Sequence, residues 1–257
     1  MTGAVLVPLP DRDFDVTEVA VPWKLLREAG REVVFATEEG ATPAADPLLL
    51  EGVVFGRLGA RPEPIRFYRE LEASEEFRRP RRWRDVDPGA GFAALLLPGG
   101  HAPGMRQYLD SEPVRALVNA FWRSERPVAA ICHGVLVMAR TIDPATGRSI
   151  LEGRTTTCLP KYMERSAYLS TFWRRGRYYR TYPAYVEDEV RAALGDAGRF
   201  ERGPRALFAR GSREDDAPAF VVEDGRYLSA RWPGDAYLFG KRLVERLDAQ
   251  ADRRSAR

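Results

Sequence analysis

Residues 128–140 read VAAICHGVLVMAR, and this stretch decides the fold. Its first part, Val128–Ile131, is a short apolar run typical of a buried strand, and Val135–Arg140 predicts a helix. Cys132 lies at the junction, with Ala130 and Gly134 two positions to either side. This is the spacing of a nucleophile elbow, a sharp strand-to-helix turn, with cysteine in place of serine.

Strands and helices alternate on both sides of this turn. The strand Ala4–Leu9, the helix Val16–Ala29 and the strand Val33–Ala36 predict a β-α-β unit with parallel strands and a right-handed crossover. The other predicted strands are Phe92–Leu97, Arg154–Leu159, Ala219–Val222 and Arg226–Ala230, and the other predicted helices are Pro64–Glu72, Glu112–Arg123, Val186–Leu194 and Asp235–Ala249. The fold class is therefore α/β, with a mostly parallel sheet. We expect a single domain over residues 1–257 with insertions near 40–91, where the arginine run 78–84 is exposed, and 161–182.

Composition narrows the function classes. The chain has 257 residues, 44% of them hydrophobic and 30% charged, which suffices for one large core. A net charge of +3 does not indicate a nucleic-acid-binding protein. No apolar run reaches the roughly 18 residues of a membrane span, and the apolar N-terminal run is too short for a signal peptide. With only two cysteines, Cys132 and Cys158, we expect reduced thiols and a cytoplasmic location.

A cysteine at such an elbow is suited to nucleophilic chemistry. The small flanking residues let the chain turn sharply, and the amides at the start of the next helix favour a thiolate and later an oxyanion. The alternative is that Cys132 is only a small buried apolar residue. Cys158 follows three threonines, 155–157, where a buried structural cysteine is the ordinary outcome.

Several motifs together resemble those of the ThiJ/PfpI superfamily, also called the DJ-1 family. They are DVTE at 15–18, LPGGH at 97–101, AICHG at 130–134, LEGR at 151–154 and SARWPGD at 229–235. The resemblance covers most of the chain and is nearest the heat-shock glyoxalase-like branch. It implies a three-layer sandwich with a flavodoxin-like, class I glutamine amidotransferase-like topology.

The resemblance also implies residue roles. Cys132 would be the nucleophile, with Glu18 as the carboxyl that bonds its sulfur and moves a proton. His133 would be the adjacent base, and the amides of Gly100 and His133 an oxyanion hole. Glu164, four positions after a proline, would complete a triad with Cys132 and His133.

Simpler interpretations of these residues remain open. Asp15 and Glu18 have the spacing of a helix capping box. Glu164 could merely pair with Lys161 or Arg165. The loop Gly99, Gly100 and His101 is expected to bind substrate, although His101 could instead cap the next turn.

The reaction class is narrowed by an absence in the sequence. A glutamine amidotransferase uses a histidine well downstream of its cysteine, and none follows His133. We therefore expect a glutathione-independent glyoxalase-like enzyme acting on small carbonyl compounds. The alternatives are an amidase- or peptidase-like hydrolase and a non-enzymatic redox sensor or holdase. No cofactor or metal is expected, since Trp23 and Arg27 stand where some relatives carry histidine ligands and no dinucleotide or phosphate-loop motif occurs.

Residues 161–182 form a basic and aromatic segment with six basic residues and one acidic residue. Such a segment could bind single-stranded nucleic acid, contact a second subunit, or form a lid whose arginines face solvent or an anionic substrate. The lid is the interpretation favoured by the sequence. The expected partner is a small-molecule substrate, with no nucleic acid and no membrane, and a homodimer is possible.

Overall fold

The computed structural model describes residues 3–124, 126–205 and 209–255. This part of the chain contains thirteen short strands, seven of which form the central sheet. The strands are β1 (Val5–Pro8), β2 (Arg12–Phe14), β3 (Val33–Thr37), β4 (Ala44–Ala45), β5 (Arg81–Arg82), β6 (Ala94–Leu97), β7 (Val128–Ile131), β8 (Ile142–Asp143), β9 (Arg148–Ser149), β10 (Thr155–Thr156), β11 (Arg199–Phe200), β12 (Val221–Asp224) and β13 (Tyr227–Ala230).

The same residues form ten α-helices and two short 3-10 turns, Trp83–Asp85 and Pro233–Asp235. The helices are α1 (Val16–Glu28), α2 (Pro47–Glu51), α3 (Pro62–Ala73), α4 (Glu75–Arg78), α5 (Met105–Leu109), α6 (Glu112–Arg123), α7 (Gly134–Arg140), α8 (Lys161–Arg175), α9 (Val186–Leu194) and α10 (Ala236–Ser255). Helices α1, α3 and α10 pack together in one layer, and α6, α7 and α9 form the other.

The order of strands in the central sheet places the functional loops. That order is β12-β13-β7-β6-β1-β3-β5, and all neighbours are parallel except the edge pair β12 and β13. From β1 the chain first adds β3 on one side and later β6 on the other. The loops at the carboxyl ends of β1 and β6 therefore diverge and leave a crevice, the position where open α/β sheets bind ligands.

The mostly parallel sandwich confirms the predicted fold class, and the predicted strands around the elbow are present. All four residues of β1, of β6 and of β7 are buried, as their apolar sequences lead one to expect. These strands are covered by helices on both faces, so they read as continuous apolar runs.

Two local predictions were wrong. The strand expected over Arg154–Leu159 shrinks to β10, because the amide of Thr157 donates to the hydroxyl of Ser229 and a proline follows at 160. The arginine run 78–84 is not simply an exposed insertion, since β5 pairs with β3 and the buried Trp83 donates to the carbonyl of Ala36 at 2.9 Å. The segment 161–182, to which the sequence assigned no secondary structure, is mostly the helix α8.

Candidate active site

The elbow at Cys132 is formed as its spacing predicts. The residue follows β7 directly, and its φ of 58° lies in the left-handed region that non-glycine residues avoid. Its amide donates to the carbonyl of Ala230 on β13 at 3.0 Å. A Cβ on Gly134 would lie 2.1 Å from the carbonyl oxygen of Leu97, so only glycine allows this close approach. The turn holds the sulfur over the carboxyl edge of the sheet.

The carboxyl group of Glu18 reaches the same point from α1. Its Oε2 accepts a hydrogen bond from the amide of Gly99 at 2.8 Å. Asp15 caps the helix through Oδ1, which accepts from the amides of Thr17 and Glu18. The amide of Asp15 donates instead to the carbonyl of Gly99 at 2.9 Å, so Glu18 does not close a capping box. Its carboxyl is directed into the site.

Gly99 lies at the meeting point of the three predicted catalytic groups. A Cβ on this glycine would lie 2.6 Å from the amide nitrogen of His133, 2.9 Å from Oε2 of Glu18 and 3.1 Å from Cβ of Cys132. Oε1 of Glu18 is buried and has no hydrogen-bond partner among the described residues. The structure thus brings Cys132, His133 and Glu18 around one residue of the loop Gly99, Gly100 and His101, which we call the substrate loop because the sequence predicts that it binds substrate.

The imidazole of His133 lies beside the thiol. Its Nδ1 is 3.4 Å from Sγ of Cys132, and its ring meets that of His101 edge to face, with 4.8 Å between centroids. Burial lowers the pKa of His133 well below its ordinary value, with His101 and Arg140 adding to the effect. Burial also lowers the pKa of His101 to about 4. Both histidines are therefore uncharged at neutral pH.

The thiol and the carboxyl group of the cluster have raised pKa values. Burial, followed by the neighbouring charge of Glu18, raises the pKa of Cys132 well above that of an ordinary thiol. Burial, followed by the charge of Asp15, raises the pKa of Glu18 well above its usual range. All of these shifts favour the uncharged forms of the thiol, the imidazole and the carboxyl group, and groups so placed can exchange protons.

The substrate loop is held by a residue that the sequence analysis did not identify. Asp13 has a φ of 76°, and its Oδ2 accepts from the amide of Gly104 at 2.8 Å. Its carbonyl oxygen would lie 2.8 Å from a Cβ on Gly100. Gly100 must therefore be small, because a side chain there would collide with the backbone of Asp13 and with Met105. No sequence signal marks Asp13, because its role depends on a contact with a loop about ninety positions away.

Glu164 is placed differently from the expected triad. It lies in the first turn of α8, not in a strand, and its Oε2 accepts from the amide of Val186 at the start of α9, at 3.1 Å. Among the described residues the carboxyl makes no hydrogen bond to His133, so the structure does not assemble the predicted Cys132, His133 and Glu164 relay. Burial raises the pKa of Glu164 to about 7.

A cavity of about 290 Å³ lies beside this cluster. Its walls are mainly apolar, and its polar groups are those of Asp15, His101, Glu164 and Arg210 together with nearby hydroxyls. Cys132, Glu18 and His133 are almost fully buried and are not among its lining residues. The side chain of His101 lines the cavity and its ring also contacts that of His133, whose Nδ1 lies beside the thiol.

Comparison with known proteins now identifies the family. A family model described as ThiJ/PfpI family-like matches residues 9–204, which include the substrate loop and the elbow. This chain belongs to the ThiJ/PfpI family. An uncharacterised protein of Schizosaccharomyces pombe is 31% identical over 173 residues, which are 65% of this chain and 63% of that protein. A protein of Pyrococcus abyssi named a deglycase is 24% identical over 91% of this chain and 93% of its own length.

Solved structures agree with this ThiJ/PfpI assignment at the level of the fold. Glyoxalase III of Candida albicans superposes with a TM-score of 0.69 and 18% identity, covering 95% of this chain and 97% of that one. Within residues 3–124, 126–205 and 209–255, no three histidine, cysteine or acidic side chains are grouped to hold a metal ion. None of the helices described is both long and apolar enough to traverse a bilayer.

Proposed function

We propose that this ThiJ/PfpI protein is a cysteine-dependent enzyme that acts on small carbonyl compounds without glutathione, as a glyoxalase does. The observation that carries the proposal is the position of the Glu18 carboxyl group beside Cys132, both gathered around Gly99. A thiol next to a carboxylic acid can add to a carbonyl and then shuttle a proton between adjacent carbons. The relatives named deglycase and glyoxalase III support enzymatic carbonyl chemistry in general.

The proposed reaction uses a 2-oxoaldehyde such as methylglyoxal. As the sulfur of Cys132 attacks the aldehyde carbon, Glu18 gives its proton to the aldehyde oxygen and the thiol proton passes to His133, which yields a hemithioacetal. Glu18, now a carboxylate, removes the hydrogen from that carbon and delivers it as a proton to the neighbouring carbon, while the hydroxyl proton moves to the neighbouring oxygen, which leaves a thioester of a 2-hydroxy acid. Water then cleaves the thioester and supplies the proton that restores the thiol, and His133 returns its proton to Glu18, so that methylglyoxal plus water becomes lactate.

The size of the cavity agrees with a small substrate. A volume of about 290 Å³ with mainly apolar walls suits a compact molecule and not a folded protein chain. Because His101 lines this space and Cys132 does not, the proposal requires that the ring of His101 move when substrate enters.

The hydrolase alternative keeps the same nucleophile. In that case Cys132 would attack an acyl or glycated group and water would release the product, as the deglycase name of the Pyrococcus abyssi relative suggests. The redox-sensor alternative is less well supported. Sensor cysteines are accessible and have a low pKa, whereas Cys132 is buried and burial raises its pKa.

The test is a multiple-turnover assay of methylglyoxal, other small carbonyls and amides with wild-type protein and three variants. Cys132→Ala should abolish D-lactate formation, and Glu18→Gln should lower kcat by about 10²-fold or more, because one removes the nucleophile and the other the proton shuttle. Cys158→Ala is the matched control, since that thiol is also fully buried but lies outside the cluster around Gly99. It should retain activity.

The outcomes separate the alternatives. Wild-type inactivity on every carbonyl, with Cys132-dependent release of ammonia or of a sugar from glycated substrates, would replace the proposal with the hydrolase. Loss of the thiol after a single oxidation event, without turnover, would indicate a sensor. Equal loss in Cys158→Ala would contradict the assignment of the nucleophile.

A further inference from the structure

A second cleft lies on the other side of the segment that covers His101. It has a volume of about 510 Å³ and is lined by five arginines: Arg106, Arg174, Arg175, Arg177 and Arg180. They come from α5, from the end of α8 and from the turn that follows it. We call this feature the arginine cleft. No activity proposed for Cys132 uses it.

The arginines of this cleft are not neutralised by carboxylates. Elsewhere in the described chain arginines pair widely with acidic side chains, yet none of these five makes a salt bridge to a described residue. Asp46 attracts Arg175 and Glu164 attracts Arg180, in both cases without an ion pair. Five like charges around one space repel one another, so an anion bound there would be stabilised by their combined field.

Stacking holds several of these guanidinium groups while leaving their donors free. Arg180 lies 3.7 Å from the ring centre of Tyr185, Arg174 4.5 Å from that of Phe55, and Arg106 5.4 Å from that of Tyr182. Contact through the flat face uses none of the in-plane N–H groups. Those groups form the planar fork that binds phosphate oxygens in pairs.

Few of the donors are consumed by the protein itself. Arg106, Arg175 and Arg180 each give one hydrogen bond to a backbone carbonyl, of Thr181, Val53 and Pro183 respectively. Arg174 and Arg177 are exposed and make no side-chain hydrogen bond to a described residue. Each guanidinium has five donors, so most remain available for a ligand.

We infer that the arginine cleft binds a chain of consecutive phosphates. Phosphate fits the forked geometry of arginine, and several linked phosphates match the number and spread of the charges better than a single carboxylate would. Successive phosphates are directly linked in free polyphosphate anions and are joined through sugars in the backbone of a nucleic-acid single strand. The cleft recognises the chemistry that both share.

The test measures binding of inorganic tripolyphosphate and of a single-stranded oligothymidylate by titration calorimetry, with full-length protein at a fixed salt concentration. The cleft variant is Arg174→Glu with Arg177→Glu, two exposed residues outside the active site. The control variant is Arg66→Glu with Arg69→Glu, two exposed arginines with the same spacing on α3. Both variants change the net charge equally, and circular dichroism verifies that both fold.

We expect the cleft variant to weaken tripolyphosphate binding by about tenfold or more and the control variant by less than about twofold. Only the cleft variant removes guanidinium donors that line the cleft. Stronger binding of the oligothymidylate, lost in the cleft variant alone, would also support the cleft and would make a nucleic-acid backbone the source of the phosphates. If neither tripolyphosphate nor the oligothymidylate binds, or if the cleft and control variants weaken binding equally, the inference is overturned.

Discussion

At the scale of single residues, the site depends on a glycine that carries no chemistry of its own. Gly99 leaves room for the amide of His133, the carboxyl of Glu18 and Cβ of Cys132 to approach one another. A methyl group at this position would contact all three within 3.1 Å. The arrangement of the catalytic groups is therefore a property of the loop backbone as much as of the side chains.

We predict that Gly99→Ala lowers kcat for the carbonyl substrate by about 10²-fold, because a displacement of about 1 Å is enough to misalign a proton relay. Gly30→Ala is the control, since its Cβ would meet nothing within 4 Å although its φ is +69°. The control should lose about 1 kcal/mol of stability and keep its kcat. Unchanged activity in Gly99→Ala would contradict the close cluster.

His101 provides a second prediction at this scale. Its ring lines the cavity and packs edge to face on His133, and it is also enclosed by Tyr178 and Tyr179. We expect His101→Ala to connect the cavity with Cys132 and to raise the rate of iodoacetamide alkylation about tenfold, as for thiols that gain access. Mass spectrometry of the peptide that contains Cys132 measures the alkylation rate. An unchanged rate would mean that another group closes the route.

At the scale of elements, Glu164 joins two helices. Its carboxyl in the first turn of α8 accepts from the first amide of α9, and burial raises its pKa from 4.5 to about 7. Because the folded-state pKa lies above the unfolded one, this group contributes stability below about pH 4.5 that is lost as the pH rises through about 7.

Glu164→Gln keeps an acceptor for Val186 and removes the titration. We predict that the free energy of unfolding of the variant, relative to wild type, increases by about 3 kcal/mol between acidic and mildly alkaline pH, the equivalent of this pKa shift. Denaturant unfolding across that range measures this change, with Glu245→Gln, at an exposed position of α10, as the control. A constant difference for Glu164→Gln would show that its pKa is not raised.

At the scale of the whole molecule, one buried ion pair ties the last third of the chain together. The carboxylate of Asp235, before α10, accepts from the guanidinium of Arg231 and from the amide of Phe220, and both charged side chains are fully buried. Arg231 also donates to the carbonyls of Pro204 and Pro218. The pair therefore connects loops that would otherwise have few contacts with the sheet.

Asp235→Ala should lower the free energy of unfolding by about 3–5 kcal/mol, because it leaves a buried guanidinium unpaired. Glu245→Ala, which breaks the exposed pair with Arg242, should cost less than about 1 kcal/mol. Equilibrium denaturation measures the free energy of unfolding of both variants. A similarly small decrease in both would mean that water reaches Arg231.

Much of the molecule could be predicted from local patterns. Apolar runs at β1, β6 and β7 specified the parallel sheet, and small residues around Cys132 specified the elbow, because burial and turn geometry depend on neighbouring residues in the chain. The sequence did not assign a secondary structure to α8, because its mixture of basic and aromatic residues gives no clear helical pattern; in the structure it packs against α9.

The sequence by itself determined the α/β architecture, the position of the elbow at Cys132 and the family resemblance, since each is encoded within a few consecutive residues. Only the tertiary structure decided that Glu18 turns to Gly99 instead of capping its own helix, and that Glu164 binds the start of α9. It also decided that arginines from α5 and from the region after α8 share one cleft. These outcomes depend on which loops, far apart in the chain, meet at the edge of the sheet. Neither the spacing nor the composition of a short segment specifies those contacts.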